Sequence, residues 1–150
     1  MITDSTQARP TVAQAATSDT KTYQNKLMGL LGSRDPITVL AETPESIARL
    51  ISPHSVDVLR RRPFAERWTW TPLEIVGHLV DVEFVYGFRV RMILCQERPT
   101  ILGMDQEKWV AGQRYNEREA GELIADFRGV RGANLKLWRQ VRPEQMIGPS

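Results

Sequence analysis

Residues 68–98 read WTWTPLEIVGHLVDVEFVYGFRVRMILCQER. Thr71 is a good helix N-cap, because its hydroxyl can accept from the first free amides. Pro72 suits the first helical position, where its missing N–H leaves nothing unsatisfied. Glu74 stands three residues after Thr71, as a capping box requires. No proline follows until Pro99. The stretch is therefore expected to be one long helix, about 40 Å at ~1.5 Å per residue. Ile75, Leu79, Val82, Tyr86, Val90 and Ile93 step by three or four and mark one face. Val76, Val80 and Val85 widen the apolar surface, so this helix should be covered on more than one side. His78 lies beside the stripe, one turn from Val82.

Outward from this rod the chain punctuates itself with proline and glycine. Met1 to Thr22 is Thr, Ser, Ala and Gln with little to bury, and is expected to be a flexible tail. Lys26 to Leu31 suggests a short helical turn ended by Gly32. Asp35 to Ser52 reads as the first helix, kinked at Pro44, with Thr43–Pro44–Glu45 as a second cap-like start. Pro53 opens another short piece with Val56 and Leu59 inward, closed by Arg60–Arg62. Pro63 to Thr71 is a connection carrying Trp68 and Trp70.

Downstream, Pro99 to Asp105 is a turn, and Gln106 to Gln113 forms one or two helical turns presenting Trp109. The last helix runs from about Glu117 to Val141. Its inward positions are Ala120, Leu123, Ile124, Phe127, Val130, Arg131, Asn134, Trp138 and Val141. Gly129 and Gly132 suggest close packing there. Pro143 stops the helix, and residues 147–150 form a loop. No segment alternates with a period of two. The expected class is all-α, an up-and-down bundle of long antiparallel helices, with residues 1–22 as tail and 23–150 as the domain.

The totals narrow the function. A chain of 150 residues, 41% apolar, suits one domain with a real core. A net charge of +2 makes no electrostatic case for nucleic acid. A single cysteine, Cys95, precludes an internal disulfide and points to a reducing cytoplasm. The N-terminal stretch lacks the basic and apolar regions of a secretory signal. No apolar run approaches the ~20 residues that span a bilayer.

The Trp-x-Trp-x-Pro opening, Gly77–His78–Leu79, Glu83, Arg89, Arg91, Pro99, Asp105 and Trp109 together resemble the DinB/YfiT-like superfamily of metal-dependent enzymes. The resemblance extends from about Leu30, through DPITVLAETPESIARLI, to the end of the sequence. It implies a four-helix bundle holding a divalent metal, nickel or zinc, on three histidines. One comes from the second long helix, and His78 matches it. The other two form a His-x-x-x-His pair on a fourth helix, and the sequence contains no such pair. The other histidine, His54, does not match the pattern. Three long helices are thus expected, with the fourth missing or supplied by a partner.

A catalytic zinc-like site keeps three protein ligands and one open position. His78 alone does not make one, although Asp81, three residues on, shares its face, and Glu74 lies one turn earlier. Arg131 and Asn134 sit on the inward stripe of the last helix. A buried guanidinium needs a partner. That partner is expected to be Asp81 or Glu83, or else an anionic substrate in a pocket. Trp68, Trp70, Trp109 and Tyr115 either line a pocket mouth or close a core edge. The candidate site is therefore His78 as metal ligand, with Trp70, Asp81, Glu83, Trp109 and Arg131 around a substrate pocket. The resemblance implies hydrolysis, or transfer of a low-molecular-weight thiol, on a small-molecule substrate. The alternative is a non-catalytic helical module that forms a homodimer through the vacated fourth-helix groove.

Overall fold

A computed structural model describes residues 12–63, 70–142 and 145, with side chains described from residue 21 onward. Trp68, Pro143 and the loop 147–150 lie outside the described residues. The order is α1 (Val12–Leu31), α2 (Pro36–Ile51), α3 (Val56–Leu59), α4 (Pro72–Cys95), α5 (Gln106–Gln113), a 3-10 turn (Tyr115–Glu117) and α6 (Ala120–Trp138). No strand occurs among the described residues, so the all-α class holds.

The chain divides into two compact units, residues 1–36 and residues 37–150. The first contains α1, which begins inside the stretch expected to be tail. Local chemistry ends it. Gly32 takes φ 62°, and Arg34 folds back so that its Nε and Nη2 donate to the carbonyls of Leu31 and Leu30 at 3.1 and 2.8 Å. With α1 the described residues hold four helices of sixteen or more residues, not the expected three.

The second unit is built on α4 and α6. The capping box at Thr71 is present in full. Its hydroxyl accepts from the Glu74 N–H at 3.2 Å, and the Glu74 carboxylate accepts from the Thr71 N–H at 2.8 Å. Asn116 adds a bond to Glu74 at 3.1 Å, and Arg62 another at 3.3 Å. Glu74 therefore belongs to the helix start and is no longer a metal-ligand candidate.

Pro44 lies inside α2 and starts no new helix. Thr43, read as a cap, donates its hydroxyl to the Val39 carbonyl at 2.7 Å instead. On α6, Arg128 makes a two-pronged pair with Glu45 at 2.7 and 2.8 Å, and Arg131 reaches the Leu40 carbonyl at 2.8 Å. These contacts make α2 antiparallel to α6.

By contrast, α4 and α6 run in the same direction. Glu83 meets Arg131 at 2.7 Å, and Gly87, further along α4, meets Asn134, further along α6. The expectation of antiparallel neighbours fails for this pair because α5 and the 3-10 turn form a long crossover between them.

The apolar core of this unit is Ala48, Ile51, Leu59, Leu73, Val76, Val110, Tyr115, Leu123 and Ile124. Phe127 is fully enclosed, and Leu135 joins the buried set although the sequence reading passed over it. Val56, expected inward, is exposed. The face of α4 turned toward α6 is not the expected stripe. The buried side of α4 carries Leu73, Val76, Gly77, Val80, Asp81, Glu83 and Gly87, of which Glu83 and Gly87 meet α6 and Gly77 and Asp81 meet the crossover. Ile75, Tyr86 and Ile93 point outward at 45, 53 and 46% exposure.

The glycines of close approach are on α4, not α6. A Cβ on Gly77 would lie 2.1 Å from the Tyr115 ring, and one on Gly87 would lie 2.3 Å from Asn134 Oδ1. A Cβ on Gly129 or Gly132 would meet nothing. The chain leaves α4 and α5 through two left-handed residues that are not glycine, Arg98 (φ 47°) and Arg114 (φ 54°).

Candidate functional site around His78

The capped start of α4 fixes where the next two turns aim their side chains. His78 and Asp81 are three apart and share a face. Trp70 precedes the cap and lays its ring against the His78 imidazole, centroids 4.7 Å apart and planes tilted by 51°. Its indole N–H donates to Glu107 Oε2 at 3.2 Å, tying the tryptophan to α5. The start of α5 is itself capped, since the Asp105 side chain accepts from the Lys108 N–H.

Asp81 is buried and held by two donors on one oxygen. The Tyr115 hydroxyl reaches Oδ1 at 2.6 Å and Gln113 Nε2 reaches it at 2.5 Å. Gly77 makes this possible, because only a bare Cα leaves room for the Tyr115 ring. Burial, with the charge of Asp81 beside it, pushes the Tyr115 phenol far above its ordinary value, so it stays a proton donor.

Two polar atoms here lack a hydrogen bond among the described residues: His78 Nδ1 and Asp81 Oδ2. Buried polar atoms are nearly always paired, and these two stand three residues apart on one helix. Burial lowers the His78 pKa, while Asp81 and Glu107 oppose that shift. The imidazole is thus held toward its neutral form, the form that ligates a cation or accepts a proton.

The other predicted site residues are not gathered here. Glu83 and Arg131 face α6 and α2 and form a buried ion pair at 2.7 Å. Asn134 completes it, donating to the Glu83 carboxylate at 2.9 Å and to its carbonyl at 2.8 Å. Of the two partners weighed for Arg131, the carboxylate Glu83 is present, and no pocket for a substrate anion is needed. Trp109 stands in a third place, on the wall of a separate cavity with Val85, Phe88 and Met92. The six-residue site therefore resolves into His78, Trp70 and Asp81 together, Glu83 with Arg131 elsewhere, and Trp109 apart. Tyr115 and Gln113 were missed as partners of Asp81. Only the aromatic character of Tyr115 drew attention to it.

The described residues do not assemble a divalent-metal site. His78 and Asp81 offer one nitrogen and one oxygen, both unpartnered. No group of three His, Cys, Asp or Glu side chains that could hold a metal ion occurs among the described residues. Glu107 is engaged by Trp70. The donor set falls one ligand short of a catalytic site.

The fold resembles that of YfiT from Bacillus subtilis, described as a probable metal-dependent hydrolase with an unusual four-helix bundle topology. The TM-score is 0.67 at 22% identity, over 73% of this chain and 61% of that one. The chain thus spans about three fifths of that protein's length. No curated protein gives a significant match. The model of the DinB superfamily matches residues 40–149, a range that takes in the capped helix, His78 and the crossover, and the chain belongs to that superfamily.

Proposed function

We propose that this chain is a metal-dependent domain of the hydrolase or low-molecular-weight thiol transferase kind, carrying its imidazole ligand at His78 and an oxygen donor at Asp81. One observation carries the reading: His78 Nδ1 and Asp81 Oδ2 are buried without partners on one helix face, beside a neutral-leaning imidazole. The description of YfiT as a probable metal-dependent hydrolase supports it. Two donors hold a divalent ion loosely, and no reaction step is assigned to the pair alone. When bound, the metal would supply Lewis acidity toward a substrate, water or thiol.

Calorimetric titration with zinc and with nickel tests this. Weak binding is expected for the chain, lost in His78→Ala and weakened in Asp81→Asn. Equal binding by all three proteins removes His78 and Asp81 from the reading.

A second reading, a helical module that forms a homodimer, is favoured by the outward stripe of α4. Ile75, Tyr86 and Ile93 are each about half exposed although they are large and apolar. Covering such side chains is worth ~1.5–3 kcal/mol each. Light scattering should then show a dimer that Tyr86→Glu dissociates. A monomer at high concentration rejects it.

A further inference from the structure

The structure holds a cavity that plays no part in the His78 cluster. It has a volume of about 310 Å³ and is walled by Val85, Phe88, Met92, Leu102, Met104 and Trp109. The C-terminal half of α4 makes one side and the loop before Asp105 the other, Trp109 of α5 adds to the lining, and the cleft is open to solvent, with Phe88 and Leu102 exposed at its rim. The walls are mostly apolar, with Arg89 the one charged liner and Thr100 a polar one.

Arg89 is a half-buried cation. Arg131 has Glu83 and Arg118 has Asp126. Arg89 has no carboxylate partner among the described residues. Its Nη2 donates to the Leu102 carbonyl at 2.6 Å, which ties the loop to α4, and its guanidinium lies 5.1 Å from the centre of the Tyr86 ring. Its Nε is buried without a hydrogen-bond partner. A guanidinium presents five N–H donors in a planar fork suited to a carboxylate. A cation left half-desolvated and without an anion is unfavourable until something supplies the charge.

Volume and chemistry agree on the occupant. Small-molecule pockets run from ~300 Å³ upward, mostly apolar, with few fixed polar groups that set orientation. Met92 and Met104 give the walls soft, adaptable surfaces. We propose that this cavity binds a small monocarboxylate with a hydrocarbon body, its carboxylate on Arg89 and its body between Phe88, Met92 and Trp109. The site is separate from the metal reading and stands or falls without it.

Octanoate is the probe and octan-1-ol its neutral control, followed by tryptophan fluorescence and calorimetry on the full chain. Octanoate should bind saturably and about tenfold more tightly than the alcohol, and Arg89→Gln should abolish that preference while leaving the alcohol unchanged. Leu102→Glu, at a position 75% exposed, places a like charge on the wall without disturbing the core, and should weaken octanoate about tenfold. Circular dichroism establishes that each variant is folded. If Arg89→Gln fails to fold, Leu102→Glu decides. Equal affinity for acid and alcohol, a preference that survives in the variants, or no saturable binding of either probe overturns the proposal.

Discussion

Arg131 on α6 donates to the carbonyl of Leu40 on α2 at 2.8 Å. In an uninterrupted helix that carbonyl would accept from the N–H of residue 44, which is proline and has none. The guanidinium thus fills a gap in the α2 ladder while its Nη2 holds Glu83 at 2.7 Å. One side chain joins three helices and satisfies both a stranded carbonyl and a buried carboxylate.

Removing that arginine should be severe. Arg131→Met leaves Glu83 with only Asn134 and leaves Leu40 without a donor, and is expected to cost ~3–5 kcal/mol in urea denaturation. In a Pro44→Ala background residue 44 regains its N–H, so the same substitution should cost about 1 kcal/mol less. A double-mutant cycle with zero coupling would show that Arg131 does not stand in for the missing amide.

The α4 glycines should respond oppositely to those of α6. Gly87→Ala drives a methyl to 2.3 Å from Asn134 Oδ1, and is expected to destabilise by ~1–3 kcal/mol despite better helix propensity. Gly129→Ala meets open space, and should stabilise by up to ~1 kcal/mol. Thermal melts of the two variants give the sign directly.

Tyr115→Phe deletes one of the two donors on a buried Asp81 oxygen. A loss of ~1–3 kcal/mol is expected. The His78 imidazole should also titrate higher than in the parent, because a less well-held carboxylate attracts its proton more strongly. Carbon-detected NMR titration of His78 reads this.

The pH dependence of stability follows from His78. Its folded pKa lies below the ordinary 6.5, because burial disfavours the imidazolium. As pH falls, the unfolded chain takes the proton first. The contribution is therefore complete above the unfolded value and is lost as pH drops through the folded one. Urea midpoints should decrease between pH 7.5 and 5.5, and His78→Gln should flatten that decrease. An unchanged slope would mean the imidazole is not desolvated.

Much of this architecture was legible where the signal was local. Thr71, Pro72 and Glu74 announce the start of α4 within four residues. The inward places of Arg131 and Asn134 came from spacing alone. What failed was non-local. The stripe from Ile75 to Ile93 is correct as an apolar pattern. Periodicity does not say which face meets a neighbour, and α6 together with the crossover covers the side that carries Asp81, Glu83, Gly77 and Gly87. Asp35 to Ser52 was legible as one helix, but Pro44 read as a kink with a second cap because the donor that compensates it lies on another helix. Tyr115 and Asp81 meet only because the crossover returns the chain to α4. His78 and Asp81 share a face because i, i+3 spacing is itself local, whereas Glu83, Arg131 and Trp109 were grouped by chemical character and the fold separates them. The start of α1 was missed because its composition is polar and small, without the apolar rhythm that flags a helix.

The two left-handed corners carry a consequence for how this chain can vary. Arginine there tolerates a conformation that costs a side-chain-bearing residue roughly 1–2 kcal/mol, while glycine would relieve that cost and loosen the unfolded chain by a similar amount. The trade is nearly even at Arg98. At Arg114 the bond to Glu117 at 2.6 Å tips it toward keeping the long side chain. Exchange of arginine for glycine is therefore close to neutral at the exit of the long rod, and less so at the bend that delivers Tyr115 to its aspartate.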